Sequence, residues 1–188
     1  ELKKTVASLK RDGLNSQQIA DELSLSQDTI AWLSSSIEGQ EQPQDIRIGW
    51  RTIGVRPIRT EAMASIFADV LYEELGDDGA DTIVGISLNG ILFAHEIAKF
   101  LDVEVSIHRN VDGGPGQGSL SNKYGQVNGK KVAIVDDVLS SGTTMRRTIA
   151  AMREMGAEVV LCMVLVNKTT LNEIDEVPLR GMIRTVAV

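Results

Sequence analysis

Residues 132–144 read Val-Ala-Ile-Val-Asp-Asp-Val-Leu-Ser-Ser-Gly-Thr-Thr, and this stretch decides the fold class. An apolar run ends at two adjacent carboxylates, Asp136 and Asp137, and a short turn of small and hydroxyl-bearing residues follows. The next residues, 145–152, place apolar side chains at helical spacing. The stretch therefore predicts a strand, an acidic pair, a small loop and a helix, in that order.

This order of elements builds a site for a phosphorylated sugar. Backbone N–H groups at the start of a helix, together with the helix dipole, attract an anion. The two carboxylates can accept hydrogen bonds from neighbouring sugar hydroxyls or hold a divalent cation. The residues predicted to bind the anion are Ser140, Ser141, Gly142, Thr143 and Thr144. In the structural alternative, the acids only end a strand and the turn only caps a helix.

The stretch resembles the phosphoribosyl diphosphate (PRPP) signature of type I phosphoribosyltransferases. The resemblance implies that the loop grips the 5-phosphate and that Asp136 and Asp137 bind the ribose hydroxyls, with Mg²⁺ carried by the ligand. A second loop, Ser87-Leu88-Asn89-Gly90, follows another apolar strand and resembles the pyrophosphate loop of orotate phosphoribosyltransferases. Its backbone N–H groups are expected to hold a second phosphate group.

Composition and charge set broad limits on the protein class. A chain of 188 residues with 43% hydrophobic and 24% charged residues is typical of a globular protein with one domain and a smaller companion. The single Cys162 lies in an apolar run and is expected to be buried in a strand. Without a membrane-length run or a secretory signal, the chain is expected to be cytoplasmic, with no membrane partner. The net charge of -7 argues against bulk attraction to nucleic acid but leaves room for a local DNA-binding element.

Residues 1–36 have a different pattern from the rest, with three short helical patterns and no strand-like alternation. The string at 16–33, Ser-Gln-Gln-Ile-Ala-Asp-Glu-Leu-Ser-Leu-Ser-Gln-Asp-Thr-Ile-Ala-Trp-Leu, resembles the helix-turn-helix of bacterial and archaeal transcription regulators. In such a motif the second helix enters the major groove of DNA. The predicted DNA-binding residues are Gln27, Asp28, Thr29, Ala31 and Trp32, exposed on the second helix of the motif, and Lys3, Lys4, Lys10 and Arg11 on the helix that precedes the motif.

Charge keeps an alternative open for this segment. Four Lys and Arg residues against five Asp and Glu residues give residues 1–36 a net charge of -1, and the recognition helix has no Lys or Arg. The alternative is a three-helix dimerisation or docking module, and we expect DNA binding to depend on a dimer. Residues 37–45 are polar and contain Gly and Pro, which predicts a linker.

Residues 46–188 alternate strands with helices, which predicts an α/β domain with a mostly parallel sheet flanked by helices. Ligands of such sheets bind at the carboxyl ends of the strands, so the two loops are expected to share one site. The predicted elements are a strand or hairpin at 46–55, a helix at 61–75 capped by Thr60, strands at 82–86, 103–108, 131–135 and 158–166, helices at 91–100 and 143–155, and a glycine-rich loop at 111–121.

The glycine-rich loop departs from the orotate pattern. Orotate enzymes carry lysines there that neutralise the pyrophosphate leaving group. In this sequence Arg109 remains, Asn110 and Gly113 stand where lysines are expected, and the next lysine is Lys123. Because charge stabilisation at a leaving group is often the largest catalytic contribution, this loss predicts slow transfer unless Lys123 compensates.

The whole pattern resembles the archaeal orotate phosphoribosyltransferase-like transcriptional regulators of the glucose and fructose catabolism type. The resemblance implies a homodimer that binds operator DNA and senses PRPP or a related phosphorylated metabolite through a type I phosphoribosyltransferase-like domain. The competing interpretation is an active orotate (or purine) phosphoribosyltransferase with an accessory N-terminal domain. Trp50 is expected to be a packing residue in either case.

Overall fold

The computed structural model describes residues 1–35, 45–110 and 118–185. The chain divides into two compact units. The first consists of Glu1–Gly49 together with Thr185, and the second of Trp50–Arg184. The predicted linker, residues 37–45, lies outside the described residues except for Asp45. We refer to the two units as the helical head and the sheet unit.

Three helices form the head, as the sequence predicts: α1 (Leu2–Arg11), α2 (Ser16–Leu23) and α3 (Gln27–Ser34). The side chains of Asn15 and Ser26 cap α2 and α3 by accepting hydrogen bonds from backbone N–H groups of the first turn. The helices enclose a small apolar core of Val6, Ile19, Ala20, Leu23, Leu25, Ile30 and Leu33. Each helix alone is too short to be stable in water, so this shared core holds the three helices together.

The sheet unit begins with two helices and continues as alternating strands and helices. A seven-stranded sheet has the order β3-β2-β1-β4-β5-β7-β6, and its strands are parallel except for β3 and β6 at the two edges. Within the described ranges, no helix is long and apolar enough to cross a membrane. The elements are α4 (Arg51–Gly54), α5 (Pro57–Leu75), β1 (Thr82–Ile86), α6 (Ser87–Leu101), β2 (Glu104–Asn110), β3 (Gly118–Leu120), β4 (Lys131–Leu139), α7 (Thr143–Glu154), β5 (Glu158–Asn167), β6 (Glu173–Ile174) and β7 (Val177–Arg184).

Helices cover both faces of the central strands. The Cβ position of Gly85 lies 2.7 Å from the Ile91 Cα of α6, whereas the next residue along β1, Ile86, belongs to the apolar cluster beneath α7. Since successive residues of a strand point to opposite faces, α6 and α7 lie on opposite sides of the sheet. The central strands β1 and β4 are therefore buried on both faces, which explains their continuous apolar sequences.

Four details of the prediction are wrong. Residues 46–55 form neither a strand nor a hairpin, because 45–50 are irregular and 51–54 are helical. Helix α5 begins at Pro57, whose fixed φ suits the first helical position, so Thr60 lies inside the helix rather than capping it. Strand β4 continues to Leu139, which places both acidic residues within the strand. Residues Ser87–Gly90 form the first turn of α6 instead of a separate loop.

Three strands were not predicted. The short strand β3 lies inside the expected glycine-rich loop, where it pairs with β2, and residues 111–117 of that loop lie outside the described part of the chain. Strands β6 and β7 form a hairpin at the end of the sheet. Residues 177–184 read Val-Pro-Leu-Arg-Gly-Met-Ile-Arg, and the proline, glycine and arginines hide the strand pattern.

Burial of β4 predicts unequal effects for two identical substitutions. Ile134 is 0% exposed at the centre of β4, whereas Ile58 on α5 is 68% exposed. We expect Ile134→Ala to lower the free energy of unfolding by about 2–5 kcal/mol, since it removes buried methylene groups and leaves a cavity. Ile58→Ala, the matched control, should change it by about 0.5 kcal/mol or less. Urea unfolding followed by circular dichroism measures both, and equal losses would contradict the observed burial.

Candidate functional site

The candidate site lies where β1 and β4 end side by side. These neighbouring strands are parallel, with Gly85 opposite Val135. From β1 the chain continues to β2 on one side of the pair, and from β4 it continues to β5 on the other. This is the switch point of an open α/β sheet, where a crevice forms beyond the carboxyl ends of the strands.

Asp137 is the most heavily bonded side chain of this crevice. It is 7% exposed, and its Oδ2 accepts hydrogen bonds from Trp50 Nε1 and from Asn89 Nδ2, both at 2.9 Å. Burial raises the pKa of the Asp137 carboxyl above its ordinary value, although the hydrogen bonds from Trp50, Val138 N–H and Asn89 act in the opposite direction. A buried carboxylate that accepts several donors is a preformed acceptor for polar groups.

Asp136 is equally buried, at 8% exposure, and its Oδ1 accepts a hydrogen bond from the Asp137 N–H at 2.9 Å. The first turn of α6 packs directly against this part of β4. A Cβ atom on Gly90 would lie 2.5 Å from the Val135 carbonyl oxygen and 3.0 Å from the Asp136 Cα. Only glycine fits at this position, and its absence of a side chain brings the start of α6 onto the acidic pair.

The start of α6 provides the second predicted phosphate loop in a different form. The residue before the helix, Ile86, has no side chain that can cap the first N–H groups. Such groups have no partner within the helix and attract anions. Leu88 is 84% exposed and offers only its backbone to a ligand, whereas Asn89 faces Asp137. The prediction that these residues and the acidic pair share one site is consistent with this arrangement.

The predicted 5-phosphate loop joins β4 to α7. Gly142 has a φ of +80°, a conformation that L-residues rarely adopt, and it precedes the first residue of α7. The first helical hydrogen bond runs from Arg146 N–H to the Gly142 carbonyl at 2.9 Å, so the helix does not use the N–H groups of the preceding residues. The exposed hydroxyls of Ser141 and Thr143 lie 3.0 Å apart beside them. These hydroxyls bond to each other, and the Thr143 N–H donates to the Ser141 hydroxyl at 3.4 Å, so a phosphate at this exposed turn would replace weak internal bonds.

The β6–β7 hairpin braces this turn, a role that no sequence pattern indicated. A Cβ atom on Gly142 would lie 2.9 Å from the Ile174 Cδ1. The Asp175 carboxylate pairs with Arg146 of α7, and its carbonyl accepts a hydrogen bond from Arg153 at 2.8 Å. Asp175 and the following Glu176 both have positive φ values, 48° and 66°. The hairpin thus contacts α7 near both of its ends, through Arg146 and Arg153, at some cost in backbone strain.

The remaining predicted ligand residues lie elsewhere or lack a described side chain. Arg109 is exposed on β2, opposite Ser119 of β3. Asn110 ends β2, and Gly113 lies outside the described residues. Lys123 is exposed in the turn after β3. Ser87 begins α6, and nothing further is described of its side chain.

No ready-made metal site accompanies the acidic pair. In the parts of the chain that the structure describes, no group of three or more His, Cys, Asp and Glu residues is placed to hold a metal ion. Two neighbouring carboxylates can still provide one or two oxygen ligands to Mg²⁺, which commonly takes its other ligands from phosphates and water. The residues therefore fit a cation that arrives with a phosphorylated ligand.

The predicted DNA-binding residues of the head differ in exposure. Asp28 and Ala31 are exposed on α3, and Trp32 is half-buried with Lys3 Nζ 5.0 Å from its ring centroid. The remaining candidates on α1, Lys4, Lys10 and Arg11, are exposed, and Gln27 is half-buried.

The predicted exposure of Thr29 is wrong. Thr29 is 6% exposed, and its hydroxyl donates to Asp45 Oδ2 at 2.9 Å. Ser26 precedes α3 as its N-cap and lies one helical turn before Thr29. A threonine at that position contacts the cap rather than solvent, and the hydroxyl–hydroxyl distance between the two residues is 2.8 Å.

Residues 55–182 match the family model described as the phosphoribosyl transferase domain. The chain is 38% identical to the transcriptional regulator GfcR of Thermoplasma acidophilum, with 98% of this chain and 94% of that protein covered. It is 35% identical to the GfcR of Methanobrevibacter smithii, with 98% and 96% covered. The chain belongs to the GfcR family of transcriptional regulators. The GfcR relatives are archaeal proteins, and they match both the helical head and the phosphoribosyl transferase domain of this chain.

Solved structures share the fold of this GfcR-family domain. An adenine phosphoribosyltransferase from Thermoanaerobacter pseudethanolicus has a TM-score of 0.61 at 18% identity, with 77% of this chain and 91% of that chain covered. An orotate phosphoribosyltransferase from Aeropyrum pernix has a TM-score of 0.55 at 21% identity, with 79% and 83% covered. The predicted type I phosphoribosyltransferase fold is confirmed. Because adenine and orotate enzymes match similarly, the fold alone does not distinguish an orotate type.

His108 lies on β2 beneath α7, the helix that follows the predicted 5-phosphate loop. It is 1% exposed at the end of β2, and its Nδ1 lies 3.4 Å from the Thr148 hydroxyl, which donates to the Thr144 carbonyl. Among the described residues, its Nε2 has no hydrogen-bond partner. Burial lowers the pKa of His108 below the ordinary value of 6.5, so the ring stays neutral.

This lowered pKa predicts a loss of stability in mild acid. As the pH falls below about 6.5, the unfolded chain binds a proton that the folded state resists, and the free energy of unfolding decreases by up to about 1.4 kcal/mol per pH unit. The contribution of His108 is fully present above that pH. Denaturant unfolding between about pH 7.5 and pH 5 measures the slope, and His108→Gln should reduce it.

The same substitution at exposed His95 controls for the loss of a histidine as such. Asp137, whose pKa is raised, contributes with the opposite sign, so the informative quantity is the difference between each variant and the unmodified protein. An unchanged slope in His108→Gln would show that burial of this ring does not cause the acid sensitivity.

Proposed function

We propose that this protein is a DNA-binding transcriptional regulator whose phosphoribosyltransferase-like domain binds PRPP or a related phosphorylated metabolite. The observation that carries the proposal is the hydrogen bond from Asn89 to Asp137, which joins the start of α6 to the acidic pair. This bond supports a shared site at the switch point, because it joins the predicted phosphate turn of α6 to a carboxylate of β4, and the second predicted turn follows β4 in the chain. A ligand with vicinal hydroxyls and two phosphate groups matches these donors and acceptors.

The chemistry available at this site favours binding over transfer. Breaking the bond to pyrophosphate requires cations that stabilise the charge developing on the leaving group. The sequence has Asn110 and Gly113 at the expected lysine positions, and Lys123 is exposed in the turn after β3. A ligand held at this site is therefore expected to remain intact for much longer than in an enzyme that retains those lysines.

Mg²⁺ is expected to bind together with the ligand. Asp136 and Asp137 would supply carboxylate oxygens, directly or through water, and the ligand's phosphates the remaining ones. The cation would offset the negative charge that the phosphates bring to a buried acidic pair. The protein's own residues orient the sugar, and the cation supplies charge neutralisation.

The helical head supplies the proposed DNA contacts. Helix α3 presents Asp28 and Ala31 to solvent, and α1 carries the basic residues. Phosphate contacts from α1 would orient the head while α3 reads the major groove. Since the head has a net charge near zero, we propose that two copies in a homodimer bind a palindromic operator, with half-sites about 34 Å apart or a multiple of that distance.

Ligand binding is testable at the exposed hydroxyls of the phosphate loop. We expect Ser141→Ala combined with Thr143→Ala to weaken binding of PRPP with Mg²⁺ about tenfold or more, since each hydroxyl loses a hydrogen bond to a charged group. Isothermal titration calorimetry on the full chain measures the dissociation constant. Ser65→Ala combined with Thr5→Ala removes the same two hydroxyl types from α5 and α1 and should leave it unchanged.

The same samples test for transfer. With orotate or adenine added, pyrophosphate release should be orders of magnitude slower than for an efficient transferase. If the unmodified protein binds none of PRPP, ribose 5-phosphate and inorganic pyrophosphate, the ligand assignment is refuted. Rapid release of pyrophosphate would instead establish the transferase.

DNA binding is testable through its dependence on salt. Lys10→Ala combined with Arg11→Ala should reduce the slope of log affinity against log salt by about 2, because each cation that contacts a phosphate contributes about 0.9. Fluorescence anisotropy with DNA from upstream of the protein's own gene gives the slope. The control, Lys123→Ala combined with Arg147→Ala, removes equal charge from the sheet unit and should preserve it. If only the control showed a smaller slope, the DNA contacts would lie in the sheet unit, and their assignment to the head would be wrong.

A further inference from the structure

We propose that residues 45–50 form a strap that transmits ligand occupancy to the recognition helix, with Trp50 as its sensor and Asp45 as its output. In this inference, which rests on the proposed function, a sugar hydroxyl competes with the Trp50 indole for Asp137. Displacement of the indole releases one end of the strap, and the other end contacts the start of α3.

The sensor end is held by three contacts within the sheet unit. Trp50 Nε1 donates to Asp137 Oδ2 at 2.9 Å. The indole ring lies against Phe93 of α6, with the ring centroids 5.5 Å apart. The Cβ position of Gly54 lies 2.8 Å from the Trp50 ring, so the turn of α4 closes over the indole only because residue 54 is glycine. Trp50 is therefore both packed and hydrogen-bonded, although its sequence context indicated packing alone.

Competition follows from the capacity of one carboxylate oxygen. Oδ2 of Asp137 has two lone pairs in the carboxylate plane, and Trp50 and Asn89 already donate to it. The proposal places the sugar hydroxyl on this oxygen rather than on Oδ1, so it must replace one of the two donors. Asn89 is fixed in the first turn of a 15-residue helix, whereas Trp50 precedes a helix of four residues and follows an irregular segment. The indole is the donor with less structure to hold it.

The output end is held within the helical head. Asp45 Oδ2 accepts hydrogen bonds from the Ser26 N–H at 2.8 Å and from the Thr29 hydroxyl at 2.9 Å. Both donors lie at the start of α3, where a carboxylate is also stabilised by the helix dipole. The proposed base-reading residues of the recognition helix begin at Gln27, within this same turn. A change in the contact of Asp45 therefore alters the part of the head that faces DNA.

Chain connectivity joins the two ends. Asp45 and Trp50 are five residues apart, and the intervening residues have neither helical nor strand structure. A ligand can shift DNA affinity only if it binds the two conformational states unequally. Trp50 provides that difference, because one state has the indole on Asp137 and the other has the ligand hydroxyl there.

The sensor is tested on the full chain through tryptophan emission. Trp32 and Trp50 are the two tryptophans, so Trp32→Phe leaves Trp50 as the only emitter. Adding PRPP with Mg²⁺ should shift the emission to longer wavelength as the half-buried indole enters water. Trp50→Phe retains a packing ring and removes the N–H, and we expect it to bind PRPP about tenfold more tightly.

The output is tested through DNA affinity with and without PRPP. Trp50→Phe and Asp45→Ala should each abolish the response of DNA affinity to PRPP, and Asp45→Ala should retain the PRPP affinity of the unmodified protein. Asp12→Ala, which removes an exposed carboxylate from the end of α1, is the matched control and should retain the full response.

Separate outcomes identify which proposal fails. If neither the unmodified protein nor Trp50→Phe binds PRPP, ribose 5-phosphate or pyrophosphate, the proposed function and the strap are both overturned. If PRPP binds but the emission of Trp50 in Trp32→Phe stays constant, only the strap is overturned, and this measurement does not require Trp50 to be replaced. A full response in Asp45→Ala would overturn the output role of Asp45.

Discussion

The buried carboxylate of Asp137 is the constraint on which the arrangement of the site depends. A charge taken out of water is costly unless donors surround it, and here those donors come from three separate parts of the sheet unit. Trp50 precedes α4, Asn89 belongs to α6, and the Val138 N–H follows within β4. Each element must occupy its position for the carboxylate to be satisfied, so one side chain fixes the relation of the strand edge to two helices.

The phosphate loop is held by a second, independent set of contacts. Gly142 turns the chain into α7, and the β6–β7 hairpin packs against that glycine and binds two arginines of the helix. Both arginines are engaged by Asp175, so the turn itself offers backbone N–H groups and hydroxyls to a ligand. Such donors attract a phosphate through their orientation rather than through a positive net charge. They can therefore serve a protein whose own net charge is -7.

Patterns local in sequence were predictable, and contacts between distant segments were not. Strand β1, the alternation of strands and helices and the three helices of the head follow from apolar periodicity over a few residues. The acidic pair lies within β4, and the two segments predicted to bind phosphate follow β4 and β1 in sequence, so their positions beside the sheet could be predicted locally, whereas their ligand stays a prediction. The indole of Trp50 lies 87 residues from its acceptor, and the brace from Asp175 comes from a hairpin whose Pro and Gly obscure the strand pattern. The prediction that Thr29 is exposed was wrong because its partner, Asp45, belongs to a segment whose sequence predicts a linker.

A fold shared with transferases becomes a receptor when the ligand's binding energy is used to change a protein contact instead of a covalent bond. In either role the acidic pair and the two predicted phosphate turns would bind the same chemical groups. Cations at the leaving group would direct the binding energy to stabilising the transition state. A protein donor that competes with the ligand instead couples the binding energy to a conformational equilibrium. In the proposed regulator, Asn110 and Gly113 close the first route, and the Trp50 indole on Asp137 would provide the second. Because Trp50 is the first residue of the sheet unit, the contact that the ligand is proposed to disrupt adjoins the segment that leads from the head.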